Sequence, residues 1–158
     1  MRTFDHDFFA DIGLDRNWVQ ENHSFSSQAG ILRGLHFQFP PYSETKLIRV
    51  VKGAILDVYV DLRKDSPTFG RWGSLELTEE NKKMLFISRG FAHGFCTLAK
   101  RNDVLYKVDN FYHADAEGGI IWDDSELKIS WPVKAPLLSS RDAKLPSFRE
   151  FREKYGGL

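Results

Sequence analysis

Residues 46–62 read KLIRVVKGAILDVYVDL, and this stretch predicts the fold class. It contains two strand-like runs with a turn at Gly53 between them. In the second run, aliphatic side chains alternate with Asp57, Tyr59 and Asp61, so the two kinds of side chain lie on opposite faces of one strand. A strand with one apolar face packs that face against a second layer, and we therefore expect a layered β structure.

Similar runs recur along the chain at intervals of about a dozen residues. The predicted strands are residues 18–23, 30–37, 46–52, 54–62, 72–77, 84–88, 95–98 and 104–108. Turn residues separate them, and no stretch between them is long enough for a helical crossover. The pattern predicts an all-β protein, an antiparallel sandwich or barrel of the jelly-roll kind.

The two ends of the chain carry helical patterns. Residues 3–12 predict a short amphipathic helix with Thr3 as its cap, and a terminal helix is expected from Pro146 and Ser147 onward. Residues 120–122 and 128–131 are candidate short strands. No repeat or linker interrupts the chain, so residues 1–158 are expected to form a single domain.

The composition excludes several classes of protein. Lysine plus arginine and aspartate plus glutamate are equal at 22 each, so the charge does not indicate a nucleic-acid or membrane surface. No apolar run has the length of a signal peptide or a spanning helix. The lone Cys96 excludes an internal disulfide and fits a reducing compartment. We therefore expect a soluble cytoplasmic protein.

A possible site begins at GILRGLHFQ, residues 30–38, with Lys46 eight residues later. A base and a cation on adjacent strands could share one pocket wall. Arg33 and His36 differ by three positions, so a regular strand would point them to opposite faces. A bulge or twist at Gly34 is needed to bring both into one cavity.

Motifs that occur in a fixed order carry a family resemblance. The most specific are LRGLHFQ at 32–38, SPTFG at 66–70 with Trp72, and GFAHGF at 90–95; shorter ones are QENHS at 20–24, LYK at 105–107, WDD at 122–124, WP at 131–132 and LSSRD at 138–142. Several motifs in order are far more specific than one alone. The sequence resembles the nucleotide-sugar 3,5-epimerases typified by dTDP-4-dehydrorhamnose 3,5-epimerase.

This resemblance implies a cupin-type jelly roll that forms a homodimer and uses no metal and no organic cofactor. It implies epimerisation at C3, C5 or both of a 4-keto-6-deoxy-hexose linked to a nucleotide diphosphate, with dTDP as the expected nucleotide. The catalytic positions of the family correspond to His36 as base, Asp142 as its orienting carboxylate, Lys46 beside the carbonyl and Tyr106 as acid. Substrate-binding positions correspond to Arg33, Gln38, Asp57, His93 and Tyr112.

These residue types suit the implied chemistry. Inversion next to a ketone needs a base on one face of the sugar, a proton donor on the other and a positive group at the carbonyl oxygen. A neutral imidazole is well matched to proton abstraction near neutral pH, and a carboxylate on its second nitrogen fixes the tautomer. The fork of Arg33 would match pyrophosphate oxygens.

The sequence departs from the family pattern in three places. The opening segment Asp-x-Arg-Gly-x-Phe-x-Glu, which contacts the nucleotide, is not found, so nucleotide contacts are expected to differ or to lie on a segment outside this sequence. Glu44 stands where the family has glutamine, and Ser88 where it has proline. Glu44 adds a negative charge near Lys46.

Other interpretations stay open at this point. Taken singly, His36 fits a structural histidine, Lys46 a lysine in solvent, Asp142 a loop cap and Tyr106 a core tyrosine. His36 and His93 could ligate a metal, but a metal site needs at least three protein ligands, and the second position after His36 is Gln38. Alternative functions are single-position epimerisation, ketoisomerisation, or nucleotide-sugar binding without catalysis.

Overall fold

A computed structural model describes residues 2–158, and in them nine β-strands form two antiparallel sheets. The elements are α1 (His6–Asp11), β1 (Gln20–Ser26), β2 (Leu32–Gln38), β3 (Lys46–Lys52), β4 (Ala54–Asp61), β5 (Trp72–Thr78), β6 (Met84–Ile87), β7 (Phe91–Thr97), β8 (Asn102–Val108), β9 (Glu117–Gly119) and α2 (Phe148–Tyr155). No helix among the described residues has the length and apolar character needed to cross a membrane.

The sheets are stacked as a sandwich with a third layer on one side. The four-stranded sheet has the order β1-β8-β3-β6, and the five-stranded sheet has the order β5-β4-β7-β2-β9. Side chains from both sheets form an inner core that includes Ile48, Ile55 and Val104. The opposite face of the five-stranded sheet is covered by the C-terminal segment, where Phe148 and Phe151 of α2 pack on Val58 and other residues of that face. The five-stranded sheet is therefore buried on both faces, and the all-β sandwich prediction is confirmed.

The observed strands match the predicted ones closely in the first half of the chain. Strand β3 has its predicted bounds, and β4 ends one residue earlier than predicted. The largest difference is β7, which begins at Phe91 instead of residue 95. Gly94 obscured this strand in the sequence, but the structure requires glycine there, because a Cβ would lie 2.7 Å from the Arg33 carbonyl oxygen.

Two expectations in the second half were wrong. Residues 120–122 and 128–131 are not strands; their apolar residues Ile120, Ile129 and Trp131 belong to the cluster beneath the C-terminal segment. The last strand is instead β9, whose sequence Glu-Gly-Gly has almost no β propensity. Pairing with β2 creates this strand.

Helix α1 is shorter than predicted, whereas α2 begins where the sequence predicted it. Helix α1 begins at His6, and Asp5 rather than Thr3 caps it, because the Asp5 side chain accepts a hydrogen bond from the Phe8 N–H at 3.1 Å. Helix α2 begins after Ser147, which forms a capping box with Glu150.

The bulge that the sequence analysis required is present in β2. Arg33 pairs with Phe95 and His36 with His93, so three steps on β2 match two steps on β7. Gly34 provides the extra residue at a φ of 111°, a conformation that other residues rarely adopt. A Cβ on Gly34 would also lie 2.6 Å from the Gly94 Cα, so glycine at both positions allows the two strands to approach.

Candidate active site

A cavity of about 940 Å³ opens between the two sheets. The rest of the sandwich interior is filled mainly by apolar side chains, whereas this part is lined mainly by polar and aromatic side chains. Eight of the nine predicted site residues line it; the lining set includes Arg33, His36, Gln38, Lys46, His93, Tyr106, Tyr112 and Asp142. The exception is Asp57.

The four-stranded sheet contributes Lys46 and Tyr106. Lys46 on β3 pairs with Val108 on β8, and Tyr106 lies two residues before Val108 on the same strand. Residues directly opposite across a ladder, and residues two apart on one strand, share a face. Lys46 and Tyr106 are therefore near neighbours on the inner face of this sheet.

The five-stranded sheet contributes Arg33, His36 and His93. His36 on β2 lies directly opposite His93 on β7, and the bulge at Gly34 returns Arg33 to the same face as His36. The imidazoles therefore line the cavity from one sheet and Lys46 and Tyr106 line it from the other.

His36 forms a hydrogen-bonded pair with Asp142. Its Nε2 lies 2.7 Å from Asp142 Oδ1, and Arg141 Nη2 lies 3.1 Å from the same nitrogen. A carboxylate can only accept, so the 2.7 Å contact places the hydrogen on Nε2, and the Arg141 guanidinium, which can only donate, lies beside that nitrogen as a charge without a hydrogen bond to it. This tautomer leaves the lone pair on Nδ1, for which we find no hydrogen-bond partner within residues 2–158.

The carboxylate of Asp142 is held ionised. Burial raises the pKa of Asp142. The hydrogen bond from His36 with the charge of its protonated ring, the hydrogen bond from the Gly34 N–H and the charge of Arg141 all lower the pKa. Together they outweigh burial, so the pKa lies below its ordinary value. The Ser139 hydroxyl accepts a hydrogen bond from the Asp142 N–H at 3.0 Å and fixes the turn that presents the carboxylate.

A second imidazole–carboxylate pair lies beside the first on the adjacent strand. His93 Nε2 is 3.0 Å from Asp57 Oδ2 and 2.9 Å from Oδ1. Asp57 was predicted to bind substrate, but it is fully buried and contacts His93 rather than the cavity. Its position behind the ring allows it to orient His93.

Lys46 has an ion-pair partner inside the cavity. Its Nζ lies 3.1 Å from Glu44 Oε1, and both side chains are mostly buried. Gln38 Nε2 donates to the other Glu44 oxygen at 3.2 Å. The loop backbone also holds the Gln38 side chain. Nε2 lies 3.0 Å from the Tyr42 carbonyl oxygen, and Oε1 accepts a hydrogen bond from the His113 N–H. Gln38, predicted to bind substrate, thus anchors Glu44 and the surrounding loops.

The phenol of Tyr106 is kept protonated. Burial raises its pKa above the ordinary value, and the negative charge of Glu44 raises it further. A protonated phenol on the sheet opposite His36 is a suitable proton donor.

Two charged residues at this site were not recognised from the sequence. Arg141 pairs with Glu117, which also accepts a hydrogen bond from the Tyr112 hydroxyl at 2.8 Å. Arg141 could have been found, because it precedes Asp142 directly in the LSSRD motif. Glu117 had no such signal, because it belongs to the strand that the sequence did not predict.

Potential metal-ligating side chains are not clustered in the described part of the chain. Within residues 2–158, no three or more His, Cys, Asp or Glu side chains come together in a way that could hold a metal ion.

The architecture defines a cupin-type β-sandwich, and its cavity between the sheets brings an imidazole–carboxylate pair opposite a lysine and a tyrosine. A sequence model described as dTDP-4-dehydrorhamnose 3,5-epimerase matches residues 1–150, and the chain belongs to this family. The dTDP-4-dehydrorhamnose 3,5-epimerase of Shigella flexneri is 48% identical over 143 residues, which cover 90% of this chain and 78% of that protein.

Solved structures agree with this assignment. The dTDP-4-dehydrorhamnose 3,5-epimerase of Bacillus anthracis, with TDP and pyrophosphate bound, has a TM-score of 0.92 and 48% identity, covering 93% of this chain and 84% of that chain. The dTDP-6-deoxy-D-glucose-3,5-epimerase of Legionella pneumophila, in complex with dTDP-4-keto-L-rhamnose, has a TM-score of 0.91 and 37% identity, covering 97% and 81%.

Proposed function

We propose that this protein epimerises C3 and C5 of a dTDP-linked 4-keto-6-deoxy-hexose without a cofactor. The observation that carries the proposal is the placement of the His36–Asp142 pair on one wall of the cavity and of Lys46 and Tyr106 on the opposite wall. Inversion requires proton removal on one side of the ring and proton return on the other, and this cavity has a base and an acid on opposing sheets.

In this mechanism His36 Nδ1 removes the proton from the carbon next to the keto group. The electron pair moves toward the keto oxygen, and the Lys46 ammonium stabilises the enolate that forms. Asp142 stabilises the imidazolium through Nε2. Tyr106 donates its proton to the same carbon from the other face, and solvent then restores both side chains.

The diphosphate of the substrate is assigned to Arg33 and Arg141. Both line the cavity and are partly exposed, and a guanidinium matches phosphate oxygens in two-point contacts. Support comes from the similar Bacillus anthracis enzyme, which was solved with TDP and pyrophosphate.

Deuterium exchange tests the proposed reaction. The protein is incubated in D₂O with dTDP-4-keto-6-deoxy-glucose, and NMR follows the C3 and C5 positions and the configuration of the product. We expect exchange and inversion at both carbons. Exchange at one carbon would identify a single-position epimerase, movement of the keto group a ketoisomerase, and calorimetric binding without exchange a non-catalytic binder.

Replacement Tyr106→Phe separates the two halves of the reaction. His36 would still remove the proton and could return a solvent-derived deuteron to the same face, so we expect exchange to persist while inversion falls roughly 100-fold or more. The NMR experiment reports both quantities on one sample. Equal loss of exchange and inversion would remove Tyr106 from the role of acid.

We also propose that the protein acts as a homodimer in the cytoplasm. The family resemblance supports the dimer, and the single buried thiol of Cys96 fits a reducing compartment. Light scattering of the purified protein measures the oligomeric state, and a monomeric mass at micromolar concentration would contradict the dimer.

A further inference from the structure

The ion pair of Glu44 and Lys46 has an unusual setting for a structural salt bridge. It lies in the cavity wall, the Lys46 and Glu44 side chains are 12% and 13% exposed, and Nζ and Oε1 are 3.1 Å apart. A pair whose only role was stability would be weakly justified here, because taking two charges out of water costs as much as their attraction returns.

Both ions retain hydrogen-bonding capacity that the protein does not use. The ammonium has three N–H donors and one of them is directed to Glu44, which leaves two for a ligand. Within the part of the chain that the structure describes, each Glu44 oxygen has one partner, Lys46 for Oε1 and Gln38 for Oε2, and can accept a further hydrogen bond. The cavity thus presents a donor and an acceptor side by side.

This arrangement is complementary to an α-hydroxyketone. A keto oxygen only accepts hydrogen bonds, whereas the hydroxyl on the next carbon can donate one. The two oxygens sit on adjacent carbons, so two groups that are 3.1 Å apart can contact them together. Glu117, another carboxylate of the cavity, is occupied by Arg141 and Tyr112, which leaves Glu44 as the acceptor beside Lys46.

We propose that Glu44 is a specificity-determining residue that accepts a hydrogen bond from the C3 hydroxyl while Lys46 contacts the C4 keto oxygen. The inference rests on the proposed function and adds to it that the substrate class is a 4-keto sugar with a free hydroxyl at C3. The contact fixes the direction of the ring, with C3 on the side of Glu44. Gln38 holds the carboxylate in place and is a positioning residue.

The test compares two substrates that share the reacting C5–H. They are dTDP-4-keto-6-deoxy-glucose and its 3-deoxy analogue, and the readout is kcat/KM for deuterium exchange at C5. The unaltered protein is expected to prefer the 3-hydroxy substrate by roughly 10- to 100-fold, the scale of a hydrogen bond to a charged group. In Glu44→Ala the ratio of kcat/KM between the two substrates should fall to about one, chiefly because kcat/KM for the 3-hydroxy substrate decreases.

Glu44→Gln is the matched variant. An amide oxygen still accepts from a hydroxyl, but without the negative charge, so we expect part of the preference to remain. The thermal midpoint and the affinity for dTDP serve as folding controls. If Glu44→Ala is unstable, the reduced preference of Glu44→Gln decides the question.

The outcomes separate the two proposals. Suppose that the unaltered protein exchanges the C5 hydrogen, but Glu44→Ala lowers kcat/KM equally for both substrates. Glu44 is then only a counter-ion of Lys46, and the inference is overturned while the proposed function stands. If Glu44→Ala is unstable, the same result with Glu44→Gln has the same meaning. Absence of exchange by the unaltered protein with either substrate would overturn the proposed function and this inference together.

Discussion

Two imidazole–carboxylate pairs lie side by side in this molecule, and their surroundings differ. His36 and His93 are directly opposite across β2 and β7, and each contacts a carboxylate through Nε2. The His36 ring is 23% exposed and that of His93 is 9% exposed. Asp142 reaches its histidine from the C-terminal segment, whereas Asp57 lies on the adjacent strand β4.

The difference in environment, rather than the pairing itself, favours His36 over His93 as the proposed base. A base must release the proton it takes before the next turnover, which requires contact with water or substrate. The half-buried His36, whose Nδ1 has no hydrogen-bond partner among residues 2–158, meets this requirement better than the more enclosed His93. His93 is placed to hold a substrate hydroxyl or to fix the strand beside the base.

Substitution of the two histidines should give the largest contrast. We expect His36→Asn to lower exchange at C3 and C5 by roughly 100- to 10,000-fold, the contribution of general base catalysis. His93→Asn should cost only about 10-fold, the scale of one hydrogen bond, and should lower the thermal midpoint more. NMR exchange rates, thermal melts and dTDP affinity measure these effects. A larger catalytic loss in His93→Asn would reverse the two roles.

The carboxylates offer a second contrast. Asp142→Asn should lower kcat by roughly 100-fold or more, because an amide can direct the ring toward the wrong tautomer. Asp57→Asn should instead act mainly on folding and lower the free energy of unfolding by roughly 2 kcal/mol, because it disturbs a fully buried pair. Steady-state kinetics and urea unfolding of both variants separate the effects. Similar kinetic losses in both would mean that the two pairs act as one unit.

The smallest effect concerns acid stability. The pKa of Asp142 is below its ordinary value in the folded protein, so its ionisation stabilises the fold above about pH 4 and this stabilisation is lost as the pH falls through the folded pKa. The difference in stability between the unaltered protein and Asp142→Asn, measured by thermal melts, should therefore be largest near neutral pH and shrink as the pH falls below the ordinary pKa of an aspartate.

A control for this measurement lies outside the cavity. Burial raises the pKa of Asp61, but hydrogen bonds from Arg63, Ser66 and Thr68 outweigh it and hold the pKa well below the ordinary value. Asp61→Asn should show the same trend with pH in thermal melts while exchange activity is retained. A pH-independent difference for Asp142→Asn would contradict a depressed pKa at that residue.

The sequence predicted best where local pattern and tertiary structure agree. Strand β4 alternates in sequence and ends within one residue of its predicted bound, and β3 has its predicted bounds and places Lys46 at its start. The bulge at Gly34 could also be anticipated, because Arg33 and His36 had the wrong spacing to share a face on a regular strand. The family motifs then pointed to eight side chains that line one cavity.

What could not be predicted depends on contacts between distant segments. Strand β9 exists because Gly118 and Gly119 have no side chains to clash with Phe37 and Leu145, and no local pattern reveals this. The Glu44–Lys46 pair was anticipated only as a nearby charge, whereas Gln38 fixes its geometry through loop contacts. The place of Asp57 behind His93 required the register of β4 against β7.

The distance along the chain between His36 and Asp142 has a consequence for biosynthesis. The two residues are 106 positions apart, and the carboxylate lies only a short way before α2. During translation the His36 imidazole emerges from the ribosome long before Asp142. When Asp142 emerges, the residues of all nine strands have already been synthesised. A nascent chain synthesised only as far as β9 would lack Asp142, so the His36–Asp142 pair proposed for catalysis is completed only after residue 142 has been added.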